Sequence, residues 1–304
     1  MSQIPTTNIL FVGDVTLDLT MVIDHVPGAD EKVHATRSVE AVGGVVANAA
    51  VAASASGANV RLGVQVGDDP ASEVVLRQLA ARGLVVEAAR CPGPLSRVVV
   101  LLEPHGEKRL VLDPGVSLCP NAEAVAALSL DGITHVHTAL YGSAARELIE
   151  RCRSAGIGWS LDLEPASFPH GITSIASVID GAAVLFLNER ASARIGPDAE
   201  QRLLDLGACR VISTLGSAGA RYRDASHRFA YRPPPSLPVV DTTGAGDCLA
   251  GWFLAGLTQG LPLENSLARA VTAASLSCGS LGAQSSYPDL PTVQSYLSKA
   301  AIAS

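Results

Sequence analysis

The most informative part of the sequence is Pro238-Val-Val-Asp-Thr-Thr-Gly-Ala-Gly-Asp247, which continues into an apolar segment. The apolar residues after the glycines recur at helical spacing: Leu249, Trp252, Phe253 and Leu257. A turn of Gly244, Ala245 and Gly246 should therefore precede a helix, where unpaired N–H groups and the helix dipole favour an anion such as a phosphoryl group. Asp247 would open this helix, either as a general base for an attacking hydroxyl or as a helix cap.

Strand-like and helix-like segments alternate through most of the chain, which predicts an α/β fold. The first is the apolar run Asn8-Ile-Leu-Phe-Val-Gly13, typical of a strand buried on both faces of a parallel sheet. Strands are further predicted at 60–66, 85–88, 135–138, 159–163, 184–187 and 210–214. Helices are predicted at 45–56, 72–82, 144–154 and 199–206, and from Asp247 and Leu263 onward.

Two segments interrupt this alternation. Apolar and polar residues mix at about 20–42 around a Pro27-Gly28 turn, and a second extended pair spans about 97–112. We expect the two segments to form one small β lid on an otherwise single domain covering residues 1–304.

Composition excludes several classes of protein. The 22 basic and 29 acidic side chains give a net charge of −7, and the three lysines form no cluster, so no nucleic-acid partner is expected. No apolar run reaches the roughly 18 residues of a membrane span. The first residues show no signal-peptide pattern, which predicts a cytoplasmic location. A Walker-type G-x-x-x-x-G-K-[ST] sequence is also absent.

Together with the N-terminal half, these features resemble the ribokinase-like, or PfkB, carbohydrate kinase family. The family's D-T-x-G-A-G-D signature is complete from Asp241 to Asp247, and Val42-Gly-Gly-Val-Val-Ala-Asn48 resembles its glycine pair and following asparagine. The resemblance implies a three-layer α/β/α fold with a central, mostly parallel sheet and a β lid. It also implies an ATP-dependent kinase that phosphorylates a primary hydroxyl of a small carbohydrate or sugar-like acceptor.

The resemblance assigns catalytic roles to the turn. Asp247 would deprotonate the acceptor hydroxyl, and the amides of Gly244, Ala245 and Gly246 would form the anion hole for the transferred phosphoryl group.

Acceptor-binding roles fall on the N-terminal half. Asp18 matches the family's sugar-binding carboxylate, and a carboxylate readily accepts hydrogen bonds from two hydroxyls. Asp14 lies at the end of the first strand, where it would assist or simply cap a helix. The second acceptor-contacting element matches Gly43, Gly44 and Asn48. Val45 stands where some sugar kinases of the family carry a lysine, so we expect an acceptor that differs from a plain pentose.

Nucleotide-binding roles fall on the C-terminal half. Ser213-Thr-Leu-Gly-Ser217 resembles the family's T-x-G-S turn, which selects Thr214 and Gly216. The other residues that the resemblance places near ATP are Asn188, Thr243 and Gly282.

Metal binding is implied less completely. Asn188-Glu189 resembles the start of the family's N-x-x-E element, which binds Mg²⁺ through water, but position 191 is Ala191. We therefore expect Mg²⁺ to arrive with ATP and assign Glu189 as a water-mediated ligand. A potassium-like ion at the Asp241 and Thr243 carbonyls is a second expectation, with a hydrogen-bonded turn as the alternative.

Lid residues are candidates for contacts with the acceptor or for a solvated surface, with Lys32 and Arg97 the first to test. The full set is His25, Lys32, Arg97, Lys108 and Arg109. A homodimer through the lid is expected from its apolar residues: Val22, Ile23, Val33, Val99 and Leu101.

Two alternative functions remain open at this stage. A nucleoside kinase of the same family would favour ring-stacking side chains, and the aromatic content is only 4%. A non-catalytic sugar or nucleotide sensor would explain Ala191, whereas the intact signature at Asp247 favours an enzyme.

Overall fold

The computed structural model describes residues 8–104, 106–139, 142–233, 237 and 239–303, with side chains described as far as Lys299. Its strands are β1 Asn8–Gly13, β2 Thr16–Val22, β3 Arg37–Gly43, β4 Asn59–Val66, β5 Val85–Arg90, β6 Ser96–Leu102, β7 Lys108–Asp113, β8 Ile133–Thr138, β9 Gly158–Leu163, β10 Val184–Leu187, β11 Val211–Thr214, β12 Ala220–Arg223 and β13 Arg228–Tyr231. Its helices are α1 Val45–Ala55, α2 Pro70–Ala81, α3 Ala122–Ala127, α4 Ala144–Ala155, α5 Ala176–Ile179, α6 Glu189–Ile195, α7 Ala199–Asp205, α8 Ala245–Thr258, α9 Leu263–Ser277 and α10 Leu290–Ala303.

The larger sheet has the strand order β13-β12-β11-β10-β9-β8-β1-β4-β5 within the described residues. The seven strands from β11 to β5 in this order pair in parallel with their neighbours. Strands β12 and β13 add an antiparallel hairpin at the β11 edge. β1 lies between β4 and β8, with Phe11 opposite Leu62 and His137. The carboxyl ends of the parallel strands therefore share one edge, where ligands bind in open α/β sheets.

The side chains of β1 alternate between two cores because successive residues of a strand face opposite sides. Ile9 and Phe11 pack into the core that contains α1, α2, α8 and α9. Leu10 and Val12 pack into the core that contains α3, α4 and the helices up to α7. The sheet thus lies between two helical layers, which confirms the predicted α/β/α arrangement.

The smaller sheet, with order β3-β2-β6-β7, is the lid. β2 pairs antiparallel with β3 and parallel with β6, and β6 and β7 form a hairpin, so both interrupting segments contribute to one sheet. The lid begins at Thr16 rather than near residue 20, because only two residues separate β1 from β2 and the alternation of Thr16-Leu-Asp-Leu-Thr20 already forms a strand. Asp18 therefore belongs to the lid.

Most predicted elements occur with small shifts at their ends. For example, α2 begins at Pro70 because the Asp69 side chain accepts the N–H of Ser72 as a helix cap. The β12–β13 hairpin and four helices were not predicted: α3, α5, α6 and α10. His105, in the second lid segment, and Pro238, at the start of the stretch first quoted, lie outside the described residues. In the part of the chain that is described, no helix has both the length and the apolar character needed to span a bilayer.

Candidate active site

The glycine turn lies at the N-terminus of α8, but the helix begins at Ala245 and not at Asp247, because the N–H of Cys248 already donates to the Gly244 carbonyl at 2.8 Å. Gly244 has a left-handed φ of 76°, and a Cβ at this position would lie 2.7 Å from the Tyr287 hydroxyl oxygen. That hydroxyl donates a hydrogen bond to the Gly244 carbonyl at 2.8 Å. A Cβ on Gly246 would meet nothing within 4 Å, so the turn is open on that side. The first N–H groups of a helix have no intrahelical acceptors, and an anion can bind there.

The start of the signature is held by one buried carboxylate. Oδ1 of Asp241 accepts hydrogen bonds from the backbone N–H of Thr243 at 2.9 Å and from its hydroxyl at 2.6 Å. Oδ2 accepts the N–H of Gly282 at 3.0 Å. Thr243 and Gly282, both predicted near the nucleotide, are therefore brought together by Asp241.

Asp247 ends a hydrogen-bonded chain of side chains. Its Oδ2 accepts from the Asn48 amide at 2.8 Å, and Asn48 Oδ1 accepts from the Gln284 amide at 2.8 Å. Burial raises the pKa of Asp247 to about 8; the Asn48 hydrogen bond opposes this, and the charges of Glu164 and Asp14 add to it. A carboxyl with such a pKa can exchange a proton near neutral pH, as a general base must.

Two further carboxylates that the sequence analysis missed lie near Asp247. Asp162 is the penultimate residue of β9, and Glu164 follows that strand. Burial, together with the charges of Asp247, Glu164 and Asp14, holds the pKa of Asp162 well above its usual range. Position at a parallel strand end is the signal that could have identified both residues.

Asp14 is engaged with the N-terminus of α1. Its carboxylate oxygens accept the N–H groups of Val45 at 2.8 Å and Val46 at 3.0 Å, which supports the capping role. Burial raises the pKa of Asp14 to about 6 against these two hydrogen bonds. Gly44 precedes the helix with φ of 102°, and a Cβ there would lie 2.7 Å from the Asp14 carbonyl oxygen.

Asp18 lies against the glycine pair. A Cβ on Gly43 would lie only 2.1 Å from Oδ2 of Asp18, so glycine is required where β3 passes this carboxylate. Thr16 donates its hydroxyl to Oδ1 of Asp18 at 2.5 Å. Burial raises the pKa of Asp18 to about 6, and its charge in turn contributes to the raised pKa of Asp247. Asp247 and Asp18, the carboxylate predicted to bind the acceptor, are thus close enough to interact.

A cleft of about 670 Å³ adjoins the turn. Thr214 and Gly216, for which nucleotide binding is predicted, line it, and the turn contributes Thr242, Ala245 and Gly246. The apolar wall comes from helices and includes Leu249, Val271, Ala274 and Cys278. No short motif marks these wall residues, because any apolar residue facing inward on α8 or α9 can serve.

Asn188 and Glu189 are not among the residues that line this cleft. Asn188 accepts the N–H of Ala191 at 2.9 Å and caps α6, while Glu189 is exposed. Ala191 is fully buried in an apolar core. A glutamate at position 191 would place a carboxylate in this apolar core. Alanine, which departs from the family's N-x-x-E element, packs there instead.

The lid residues differ in what they contact. Lys32 is exposed, and Arg97 lies 3.4 Å from Asp69. Lys108 instead donates to the hydroxyls of Thr242 at 3.1 Å and Thr243 at 2.9 Å. Lys108 is therefore a lid residue that reaches the signature turn.

An open helix N-terminus beside a half-buried carboxylate and a large cleft suits the transfer of an anionic group to a hydroxyl. Comparison with known proteins makes this specific. The family described as pfkB family carbohydrate kinase matches residues 6–290, and the chain belongs to it.

Curated relatives agree with this assignment. A ribokinase of Bacillus subtilis is 32% identical over 304 residues, covering 96% of this chain and 99% of that protein. An ATP-dependent ribose-1-phosphate kinase of Halopiger xanaduensis is 28% identical, with coverage of 96% and 98%. A cytidine kinase of Thermococcus kodakarensis is 27% identical, with coverage of 75% and 84%. The chain is an ATP-dependent kinase of a sugar or nucleoside hydroxyl.

Solved structures share the fold. Ribokinase from Thermotoga maritima superimposes with a TM-score of 0.82 at 23% identity, covering 96% of this chain and 99% of that one. Arabidopsis thaliana ribokinase, complexed with ribose and ATP, gives a TM-score of 0.79 at 22% identity, with coverage of 97% and 99%. These likenesses confirm the predicted ribokinase-like fold.

Proposed function

We propose that the acceptor is a small sugar or sugar-like molecule and that the kinase phosphorylates one of its primary hydroxyls. One observation carries the proposal: Asp247 is hydrogen-bonded to Asn48 and interacts electrostatically with Asp18, which lies on the lid. A molecule with several hydroxyls can donate to these carboxylates and to the Asn48 carbonyl oxygen. Ribokinase and ribose-1-phosphate kinase relatives support the same class of acceptor.

In the proposed reaction, the acceptor oxygen forms a bond to the γ-phosphorus of ATP as the bond to the β,γ-bridging oxygen breaks, and ADP leaves. Asp247 accepts the hydroxyl proton and later releases it to solvent. The N–H groups at residues 244–246 stabilise the negative charge on the transferred group. The cleft lined by Thr214 and Gly216 holds the nucleotide.

Mg²⁺ is proposed to accompany ATP, where it neutralises phosphate charge. The carboxylates of Asp162 and Glu164 provide hard oxygen atoms of the type that Mg²⁺ prefers, and they lie near Asp247. Among the described residues no cluster of three or more metal-ligating side chains occurs. This suits an ion that takes most of its ligands from phosphates and water. Glu189 as a ligand stays a prediction. A potassium-like ion at the Asp241 and Thr243 carbonyls also stays a prediction, and the salt dependence of nucleotide binding described below for Lys108 tests it.

The homodimer is proposed through the lid, as the sequence suggested, but on the exposed residues of β7 in place of those first named. Ile23 is buried, whereas consecutive residues of β7 are exposed: Leu110 by 63%, Val111 by 62% and Leu112 by 46%. Sedimentation at micromolar protein should give a dimer for the wild type and a monomer for Val111→Lys; a monomeric wild type would remove the proposal. A cytoplasmic location also stays a prediction.

The test of function is ADP release with Mg–ATP across ketoses, aldoses, sugar phosphates, sugar acids and nucleosides. We expect turnover that depends on a sugar and that falls about 10²- to 10⁴-fold in Asp247→Asn. Asp113→Asn, at an exposed carboxylate of β7, is the matched control and should keep wild-type turnover.

Other outcomes of this panel are equally informative. Turnover with nucleosides alone would favour the activity of the cytidine kinase relative. Equal turnover of the Asp247→Asn variant and the wild type would exclude Asp247 as the base. Sugar binding without ADP release would favour the sensor.

A further inference from the structure

Lys108 is the first residue of β7 in the lid, and its side-chain ammonium contacts the signature turn. Its Nζ donates to the hydroxyls of Thr242 and Thr243 and lies 3.6 Å from Oδ1 of Asp241. The side chain is only 22% exposed. Three oxygen atoms of one turn therefore surround a lysine ammonium from a different sheet.

The contact matters because the Lys108 ammonium faces the carboxylate of Asp241. Its side chain is fully buried. Its oxygens accept hydrogen bonds from Thr243 and Gly282 and face the Lys108 ammonium, and these contacts all favour the ionised form. The group stays ionised at neutral pH. A fixed negative charge here would repel a nucleotide triphosphate bound at Ala245 and Gly246 unless a cation neutralises it.

Three other basic groups are engaged elsewhere, and two more, Arg37 and Arg232, line cavities next to the turn but are exposed. Arg97 faces Asp69, and Arg109, next to Lys108 in the chain, pairs with Glu103 and Glu107. Arg82 donates to the backbone carbonyl of Gln284. Among the ion pairs of the described residues, Lys108 is the partner of Asp241.

We propose that Lys108 is the built-in counter-cation of the phosphate-binding turn. From the lid, its ammonium neutralises Asp241 and orients Thr242, a residue of the nucleotide cleft wall. The turn can then accept nucleotide phosphates without a dissociable monovalent cation. Lys108 acts through Asp241 and the two threonines, and is therefore a positioning residue. The proposal rests on the kinase function and deepens it on the nucleotide side.

The consequence for a variant follows from charge balance. Without Lys108, Asp241 needs a cation from solution, and K⁺ or NH₄⁺ can supply one charge among the same oxygen atoms. Tetramethylammonium carries the charge but cannot donate a hydrogen bond or fit between closely spaced oxygens. Nucleotide affinity of the variant should therefore depend on which monovalent salt is present, at constant ionic strength.

The experiment is calorimetric titration of ADP into wild type, Lys108→Met, Lys108→Arg and Arg109→Met. Each protein is measured in tetramethylammonium chloride and again in KCl or NH₄Cl at equal ionic strength. We expect Lys108→Met to bind ADP about 10-fold more weakly in tetramethylammonium and to recover most of the loss in K⁺ or NH₄⁺. Wild type and the matched control Arg109→Met should change less than about twofold between salts, and Lys108→Arg should lie closer to wild type than to Lys108→Met.

Three results would overturn the proposal. In the first, Lys108→Met binds ADP as tightly as wild type in tetramethylammonium. In the second, wild type needs K⁺ as strongly as the variant does. In the third, weakened binding is relieved by neither cation, which indicates a structural role. ADP binding requires no acceptor, so these results are independent of which sugar or nucleoside is phosphorylated.

Discussion

The carboxylate of Asp247 lies partly buried between the Asn48 amide and other acidic groups. Burial and the charges of Glu164 and Asp14 raise its pKa to about 8 from 3.8. The unfolded chain binds this proton only at low pH, whereas the folded chain keeps it up to about pH 8. Stability is therefore full below about pH 4 and is lost as the pH rises toward 8. The deprotonation that Asp247 needs to act as a base therefore lowers the free energy of unfolding near the pH at which the enzyme works.

Asp247→Asn should stabilise the ligand-free protein while removing turnover. The amide can still accept the hydrogen bond from Asn48, but it has no charge to desolvate. We expect a gain of roughly 1–3 kcal/mol in the free energy of unfolding at pH 8, shrinking toward zero near pH 4. Denaturant unfolding at several pH values measures this difference, with Asp113→Asn as the control. A constant difference across the pH range would contradict the assigned pKa.

Gly43→Ala should weaken acceptor binding selectively. The new Cβ would overlap the Asp18 carboxylate, which must move to accommodate it. We expect at least about a 10-fold increase in the KM of the acceptor and little change in the KM of ATP. Gly28→Ala is the control, since its Cβ would meet only a glutamate oxygen at 3.5 Å. An increase confined to the KM of ATP would show that Asp18 serves the nucleotide instead.

At the scale of elements, the N-terminus of α8 contains two glycines with different requirements. Gly244 needs a left-handed backbone, and its surroundings exclude a Cβ, whereas Gly246 has neither constraint. The structure of the turn explains the first glycine. The open space beside Gly246, where we propose that the phosphoryl group binds, explains the second.

The two alanine variants should therefore fail in different ways. Gly244→Ala should lower the free energy of unfolding by about 1–3 kcal/mol, through backbone strain and contact with Tyr287. Gly246→Ala should fold as stably as wild type, because alanine favours helices, yet lose about 10-fold or more in kcat/KM for ATP. Thermal unfolding and steady-state kinetics on both variants separate the two effects. Full activity of Gly246→Ala would mean that the phosphates bind elsewhere.

The elements of the main fold were predictable because their signals are local. The buried run of β1 and the helical spacing after Asp247 appear within a few residues of sequence. The β12–β13 hairpin was missed because each strand has four residues of mixed polarity. The predicted lid segment begins near residue 20, which is too late for β2, because the alternating residues of β2 follow almost directly after β1.

For the whole molecule, the parallel sheet contains a buried polar group outside the site. His135 and His137 on β8 both hydrogen-bond to the Ser160 hydroxyl at 2.8 Å. Burial lowers the pKa of His135 to about 4 and, with the His135 charge as a smaller contribution, that of His137 to about 3.

These histidines should make the fold sensitive to acid. The unfolded chain binds their protons near pH 6.5 and the folded chain only below about pH 4, so their contribution is full above pH 6.5 and is lost as the pH falls. We expect wild type to lose up to about 1.4 kcal/mol per pH unit for each histidine in this window, relative to the double variant His135→Gln/His137→Gln. Denaturant unfolding between pH 7 and 4 measures that slope, and exposed His34→Gln is the control. Parallel pH profiles for wild type and the double variant would contradict the assignment.

Sequence alone determined the layers, the lid strands and the residues at the glycine turn, because hydrophobic periodicity and short motifs are written within single elements. It also placed Asp18, Asn48 and Asp247 in one hypothesis through family resemblance. It gave no indication that Lys108 reaches Thr243, because 135 residues separate the two and a lid strand brings them together.

The same limit applies to the carboxylates. Asp162 and Glu164 join the site because β9 ends at the same sheet edge as β1, and the charge state of Asp247 depends on how deeply the surrounding elements bury it. Contacts between distant segments and the desolvation of charges depend on packing across elements. Only the tertiary structure determines these contacts and charge states.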